Sequence, residues 1–115
     1  FNEKISPILT LLKSKNIEDS VEIAEKILDM SGIGHSAGIY SNSRKNINYA
    51  AKKLKVSRLI VNQPNSQSAG GNKDNKLPFS LSLGTGSWGG DLSNDNLTYK
   101  DFINTTTIVY SKKIT

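Results

Sequence analysis

The chain has 115 residues and no cysteine, which limits it to one domain or part of one and excludes a disulfide framework, a thiolate nucleophile within the chain and any Cys-ligated metal. Its single histidine excludes the catalytic metal sites built from several histidines. A net charge of +5 with 36% hydrophobic residues describes a basic, soluble chain with a modest core, one that buries roughly two thirds of its unfolded surface.

In chain order, residues 5–13 open with a mostly apolar run, with Ile8, Leu9, Leu11 and Leu12 around Thr10. A run that short, after Pro7 and before Ser14-Lys15-Asn16, fits a buried strand better than a helix. Asn16 then suits a helix N-cap, with Glu18, Asp19 and Glu22 placed where the helix dipole favours acids. Ile17, Val21, Ala24, Ile27 and Leu28 recur at helical spacing and predict a helix through about Met30, ended by Gly32 and Gly34.

Residues 36–40 read as a short strand, although Gly38 interrupts it. Ser43 can cap a second helix in which Ile47, Ala50, Ala51 and Leu54 share one face and the lysines point outward. Residues 57–62 are β-rich. Strand, helix, strand, helix, strand at these spacings predicts an α/β fold, a mostly parallel sheet with flanking helices.

After Pro64 the composition changes. Residues 65–76 hold no large apolar side chain and read as a long loop. Residues 77–83 alternate and suit a strand, residues 84–90 are too glycine-rich for regular structure, and residues 91–96 are polar. Residues 102–115 read as a terminal strand, apolar on both faces and in need of a partner, so the chain divides into residues 1–101 and a terminal oligomerisation strand, 102–115.

Arg44, Lys45, Lys52, Lys53, Lys55 and Arg58 form the densest basic cluster. Such a cluster could bind phosphates, and a basic nucleic-acid-binding module centred on residues 44–58 is one reading of the chain. Only Tyr49 lies within the cluster, which weakens stacking on single strands, and the plain alternative is a solvated helix face. A non-catalytic assembly piece built around the terminal strand is another reading.

Gly84, Gly86 and Gly89 formally match G-x-G-x-x-G, but no amphipathic helix follows, so a loop that lets a ligand or another backbone approach closely is the better reading. His35 is by position either a loop histidine without a role or a proton-transfer group at the mouth of the sheet. Glu3 alone is a surface carboxylate, and Trp88 is either a buried anchor or a pocket wall.

Four segments in order carry a resemblance: Glu3-Lys4-Ile5-Ser6-Pro7-Ile8, Gly32-Ile33-Gly34-His35-Ser36-Ala37, Val61-Asn62-Gln63-Pro64 and Leu83-Gly84-Thr85-Gly86-Ser87-Trp88-Gly89-Gly90. Together they resemble the CoA-acylating aldehyde dehydrogenases, including the aldehyde dehydrogenase half of bifunctional aldehyde-alcohol dehydrogenases and the acylating sulfoacetaldehyde dehydrogenases. The resemblance implies the C-terminal part of a catalytic domain. It implies an enzyme that interconverts an aldehyde plus CoA with acyl-CoA, using NAD or NADP, through a cysteine thioester whose nucleophile lies outside this chain. On that view the isolated chain is inactive, and its partners are an upstream nucleotide-binding domain of the same protein and further copies in a homo-oligomer.

The resemblance also implies roles for individual residues. Glu3 would contact the ribose next to the nicotinamide, and His35 would act catalytically near the reacting centre. Asn62, Gln63 and Pro64 would line the acyl or CoA pocket, with Trp88 closing it. Many relatives carry Cys where this chain has Thr85, a departure that alters local chemistry without touching the nucleophile. Phe1 in place of an initiator Met points to a piece or a processed product, and with no leader and no long apolar run the expected setting is the cytoplasm, away from membrane and nucleic acid.

Overall fold

In a computed structural model, described for residues 6–112, four elements form the ordered centre: helix α1 (Ile17–Met30), strand β1 (Gly34–Ile39), helix α2 (Arg44–Lys53) and strand β2 (Val56–Val61). Asn16 caps α1 as expected, its Oδ1 accepting the Asp19 N–H at 2.9 Å while Asp19 Oδ2 accepts the Lys15 N–H at 2.9 Å. Ser43 caps α2 through the Asn46 N–H at 3.3 Å.

The two strands pair in parallel, with Ser36 opposite Arg58, Ala37 opposite Leu59 and Gly38 opposite Ile60. Side chains alternate across a strand, so this register sorts them onto two faces. Ala37, Ile39 and Leu59 pack with Val21, Ala50 and Leu54 into the core beneath the helices, and Val56, at the start of β2, joins the same cluster although it alternates with Arg58 and Ile60. On the helix faces Ile17, Ala24, Leu28 and Tyr49 complete this core, whereas Ala51 is exposed, contrary to its expected place on the inner face of α2.

The opposite face of the sheet carries Ser36, Gly38, Arg58 and Ile60, and the long segment after β2 covers it. That segment contains two single helical turns, α3 (Asn65–Ser68) and α4 (Gly86–Gly89), and a 3-10 turn at Tyr99–Phe102. It is ordered by side-chain amides rather than by apolar packing. Asn75 Nδ2 donates to the Ser68 carbonyl at 2.8 Å, Asn72 Nδ2 donates to Gln63 Oε1 at 3.3 Å, and Asn72 Oδ1 accepts the Asp74 and Asn75 N–H groups.

Several expectations need correction. Residues 6–13 form no strand, and Ile8, Leu9, Leu11 and Leu12 are exposed, because nothing among the described residues lies alongside to pair with them. Residues 77–83 contribute only one antiparallel bridge, Leu83 with Asn96. The glycine-rich stretch does hold regular structure, the turn α4, because Gly86 and Gly90 at φ 63° and 89° enter and leave it through left-handed backbone. Residue 102 ends the 3-10 turn, and residues 103–112 carry no regular structure and are exposed throughout.

Candidate functional site

A glycine at β1's first position sets the geometry of the site. Gly34 has φ 89°, and a Cβ there would run into the backbone carbonyl and Cβ of Thr85. The α4 turn therefore sits directly against the start of β1, and the expectation of a close backbone approach by the glycine loop holds. Thr85 organises that loop. Its N–H and Oγ1 donate to Asp91 Oδ2 at 2.8 and 2.7 Å, and the hydroxyl first, then the backbone N–H, hold the Asp91 carboxyl below the usual carboxylate range. Thr85 thus supplies a structural hydroxyl.

Beside this turn, His35, Ser36, Asn65, Ser66, Gly70, Ser80 and Leu81 line an open cleft of about 270 Å³. His35 Nδ1 lies 2.8 Å from Ser36 Oγ, and Asn65 Nδ2 donates to the same oxygen at 3.2 Å. Asn65 Oδ1 is buried without a hydrogen-bond partner. The cleft mixes donors and acceptors with an apolar wall from Ala69, Leu81 and Leu83, and none of its lining residues carries a fixed charge. His35 stands at the amino end of β1 rather than at the carboxyl ends of the strands, where ligands of parallel sheets usually collect.

The remaining sequence-selected residues lie apart from that cleft. Asn62, at φ 54°, clamps the two strands at their carboxyl ends: its N–H donates to the Ile39 carbonyl, its Oδ1 accepts the Ser41 N–H at 2.8 Å and its Nδ2 donates to the Ser41 carbonyl at 3.1 Å. Gln63 holds the Asn72–Asn75 loop, and Pro64 supplies the N-cap position of α3. Trp88 is half exposed on α4. Glu3 lies outside the described residues. Among the described residues, no group of three His, Asp or Glu side chains is placed to hold a metal ion.

Two residues that organise the site were missed. Arg58, counted in the basic cluster, is buried beneath the long loop at 6% exposure, and burial lowers its pKa from the usual value. Its Nε donates to Asn96 Oδ1 at 2.6 Å, its Nη1 to the carbonyls of Gly84 at 3.1 Å and His35 at 3.3 Å, and its Nη2 to the Asn94 carbonyl at 3.1 Å. Asn96 completes the fixture, its Nδ2 donating to the Ala69 and Pro78 carbonyls at 3.0 and 2.9 Å. The sequence did hold a signal: Val56, Arg58 and Ile60 alternate, which places Arg58 on a buried face. The other five cluster residues are exposed, with Lys55 Nζ 3.6 Å from Asp29.

No protein-family model matches the chain. It is 44% identical over 111 residues to the acetylating succinate-semialdehyde dehydrogenase of Clostridium kluyveri, covering 96% of this chain and 24% of that protein. It is 39% identical over 104 residues to a sulfoacetaldehyde dehydrogenase of an Acholeplasma species, covering 90% of this chain and 22% of that protein. The crystal structure of a probable aldehyde dehydrogenase from Listeria monocytogenes superposes with a TM-score of 0.83 at 34% identity, over 95% of this chain and 24% of the other. The chain therefore spans about a quarter of the length of these relatives.

Proposed function

From its homology to acylating aldehyde dehydrogenases over nine-tenths or more of its length, we propose that this chain is the C-terminal part of the catalytic domain of such an enzyme. The whole protein would interconvert an aldehyde plus CoA with acyl-CoA, using NAD or NADP, in the cytoplasm. The observation that carries this reading is the 44% identity across 111 residues, which includes all of the ordered centre. The chain has no cysteine, so on this reading the nucleophilic thiolate belongs to another part of the polypeptide.

The chemistry of the cleft supports a place for His35 in the reaction. Imidazole, hydroxyl and amide groups without fixed charge suit the neutral, hydrogen-bonding arm of CoA or a thioester carbonyl better than they suit phosphates. When bound, CoA supplies the thiol that takes up the acyl group. His35 would meet the acyl oxygen or the thiol at the cleft and hold or move a proton there. Asn62, Gln63 and Pro64 would serve by fixing the strand ends and the adjoining loop, while Trp88 would wall the far side of the glycine turn. The ribose contact of Glu3 is carried by the resemblance alone.

We assign residues 102–115 to contact with a second subunit. The exposure of Ile103, Ile108, Val109 and Tyr110 supports this, since an apolar stretch of that kind gains most from a partner.

A chimera tests the reading. This chain replaces the matching segment of the Clostridium kluyveri enzyme, and CoA- and aldehyde-dependent reduction of NAD(P) is followed. Retained activity is expected, and a folded, soluble but inactive chimera would overturn the assignment. The isolated chain should form no NAD(P)H under the same assay.

A further inference from the structure

A short relay lies behind the imidazole of His35. Asn65 Nδ2 donates to Ser36 Oγ at 3.2 Å, and Ser36 Oγ lies 2.8 Å from His35 Nδ1. A serine hydroxyl has one hydrogen to give. With the oxygen already accepting from Asn65, that hydrogen is free for the imidazole. The amide orientation supports this polarity: the group left buried without a partner is Asn65 Oδ1, whereas the flipped amide would strand an NH2 donor. Unsatisfied buried donors are rarer than under-satisfied carbonyls. Gly38 gives the arrangement room, since a Cβ there would lie 3.3 Å from Asn65 Cβ, a tight contact.

We propose that Ser36 and Asn65 are positioning residues that hold neutral His35 in the Nε2–H tautomer, with Nδ1 turned inward as acceptor. The nitrogen left to the cleft is then a donor. In its neutral form His35 hydrogen-bonds to an oxygen of its ligand, an acyl carbonyl, and does not withdraw a proton from it. The relay rests on the reading of His35 as the polar group of the acyl site, but its tautomer is a property of the chain alone.

Because the chain has a single histidine, the 15N spectrum of a histidine-labelled sample is unambiguous. The sample is the full 115-residue chain at alkaline pH. A protonated Nε2 and a bare Nδ1 are expected. Ser36→Ala should shift both resonances toward the averaged values of exchanging tautomers, and Ser36→Thr, which keeps the hydroxyl, should restore the parent pattern. Asn65→Ala, in the half-buried single turn α3, should move the spectrum partway and guards against a misfolded Ser36→Ala. A parent spectrum with Nδ1 protonated would overturn the proposal, as would resonances that none of these substitutions moves. An inactive chimera together with the expected spectrum would sink the family reading and leave the relay standing.

Discussion

Replacing Arg58 with Ala should loosen the whole segment that covers the sheet. The guanidinium makes four hydrogen bonds, three of them to main-chain carbonyls. Bonds with a charged partner are worth about 1.5 kcal/mol each at the low end, so a simple sum approaches ~6 kcal/mol. Two effects reduce it. His35 and Asn94 are exposed residues whose carbonyls can recover water, and the substitution removes a buried charge that has no carboxylate bonded to it. A net loss of about 3 kcal/mol follows, which at roughly 4 °C per kcal/mol for a domain of this size lowers Tm by about 12 °C. Thermal unfolding followed by circular dichroism measures this directly. Arg58→Lys is the control: an ammonium cannot span four divergent acceptors, so it should recover no more than about a third of the loss. An alanine variant that melts within ~2 °C of the parent, or a lysine variant that recovers it fully, would refute the reasoning.

Asn96→Asp should destabilise by about 2 kcal/mol even though it places a carboxylate against Arg58, because the lost Nδ2 leaves the Ala69 and Pro78 carbonyls facing negative oxygen; urea unfolding would show it. Gly34→Ala should cost at least twice as much as Gly32→Ala: both have positive φ, but only at Gly34 would the new Cβ strike Thr85, so the pair of midpoints separates backbone strain from collision. Asp91 ionises more readily in the folded chain than in the unfolded one, so its contribution is present above roughly pH 4 and is lost as pH falls through its lowered folded value. Thr85→Val removes the larger cause of that lowering, and acid titration of stability should therefore be less steep in the variant than in the parent.

The sequence was readable where a period repeats. Ile17, Val21, Ala24 and Leu28 mark α1, and the strand–helix–strand unit from Gly34 to Val61 follows from spacing and caps, because those elements bury their apolar faces against one another. The flanking runs misled for a related reason. Apolar content in residues 6–13 and 103–112 promises burial, but a strand exists only when another strand bonds to it, and composition cannot say where that neighbour lies. Beyond β2 the order comes from Asn72, Asn75 and Asn96 bonding to particular backbone groups, which leaves no periodic trace. At the candidate site His35 could be selected by its setting between Gly34 and Ser36, while Asn65 could not, since its link to Ser36 spans 29 positions.

The extended flanks also govern how the chain travels through solution. Its radius of gyration is 18.2 Å with extents of 66 × 34 × 29 Å. A compact domain of this length would have a radius of gyration of about 13 Å. Friction follows shape as well as mass, so a single copy should leave a sizing column early, at the position of a larger globular protein. An apparent dimer in such an experiment is what one elongated molecule would give, and mass from light scattering is the measurement that counts subunits.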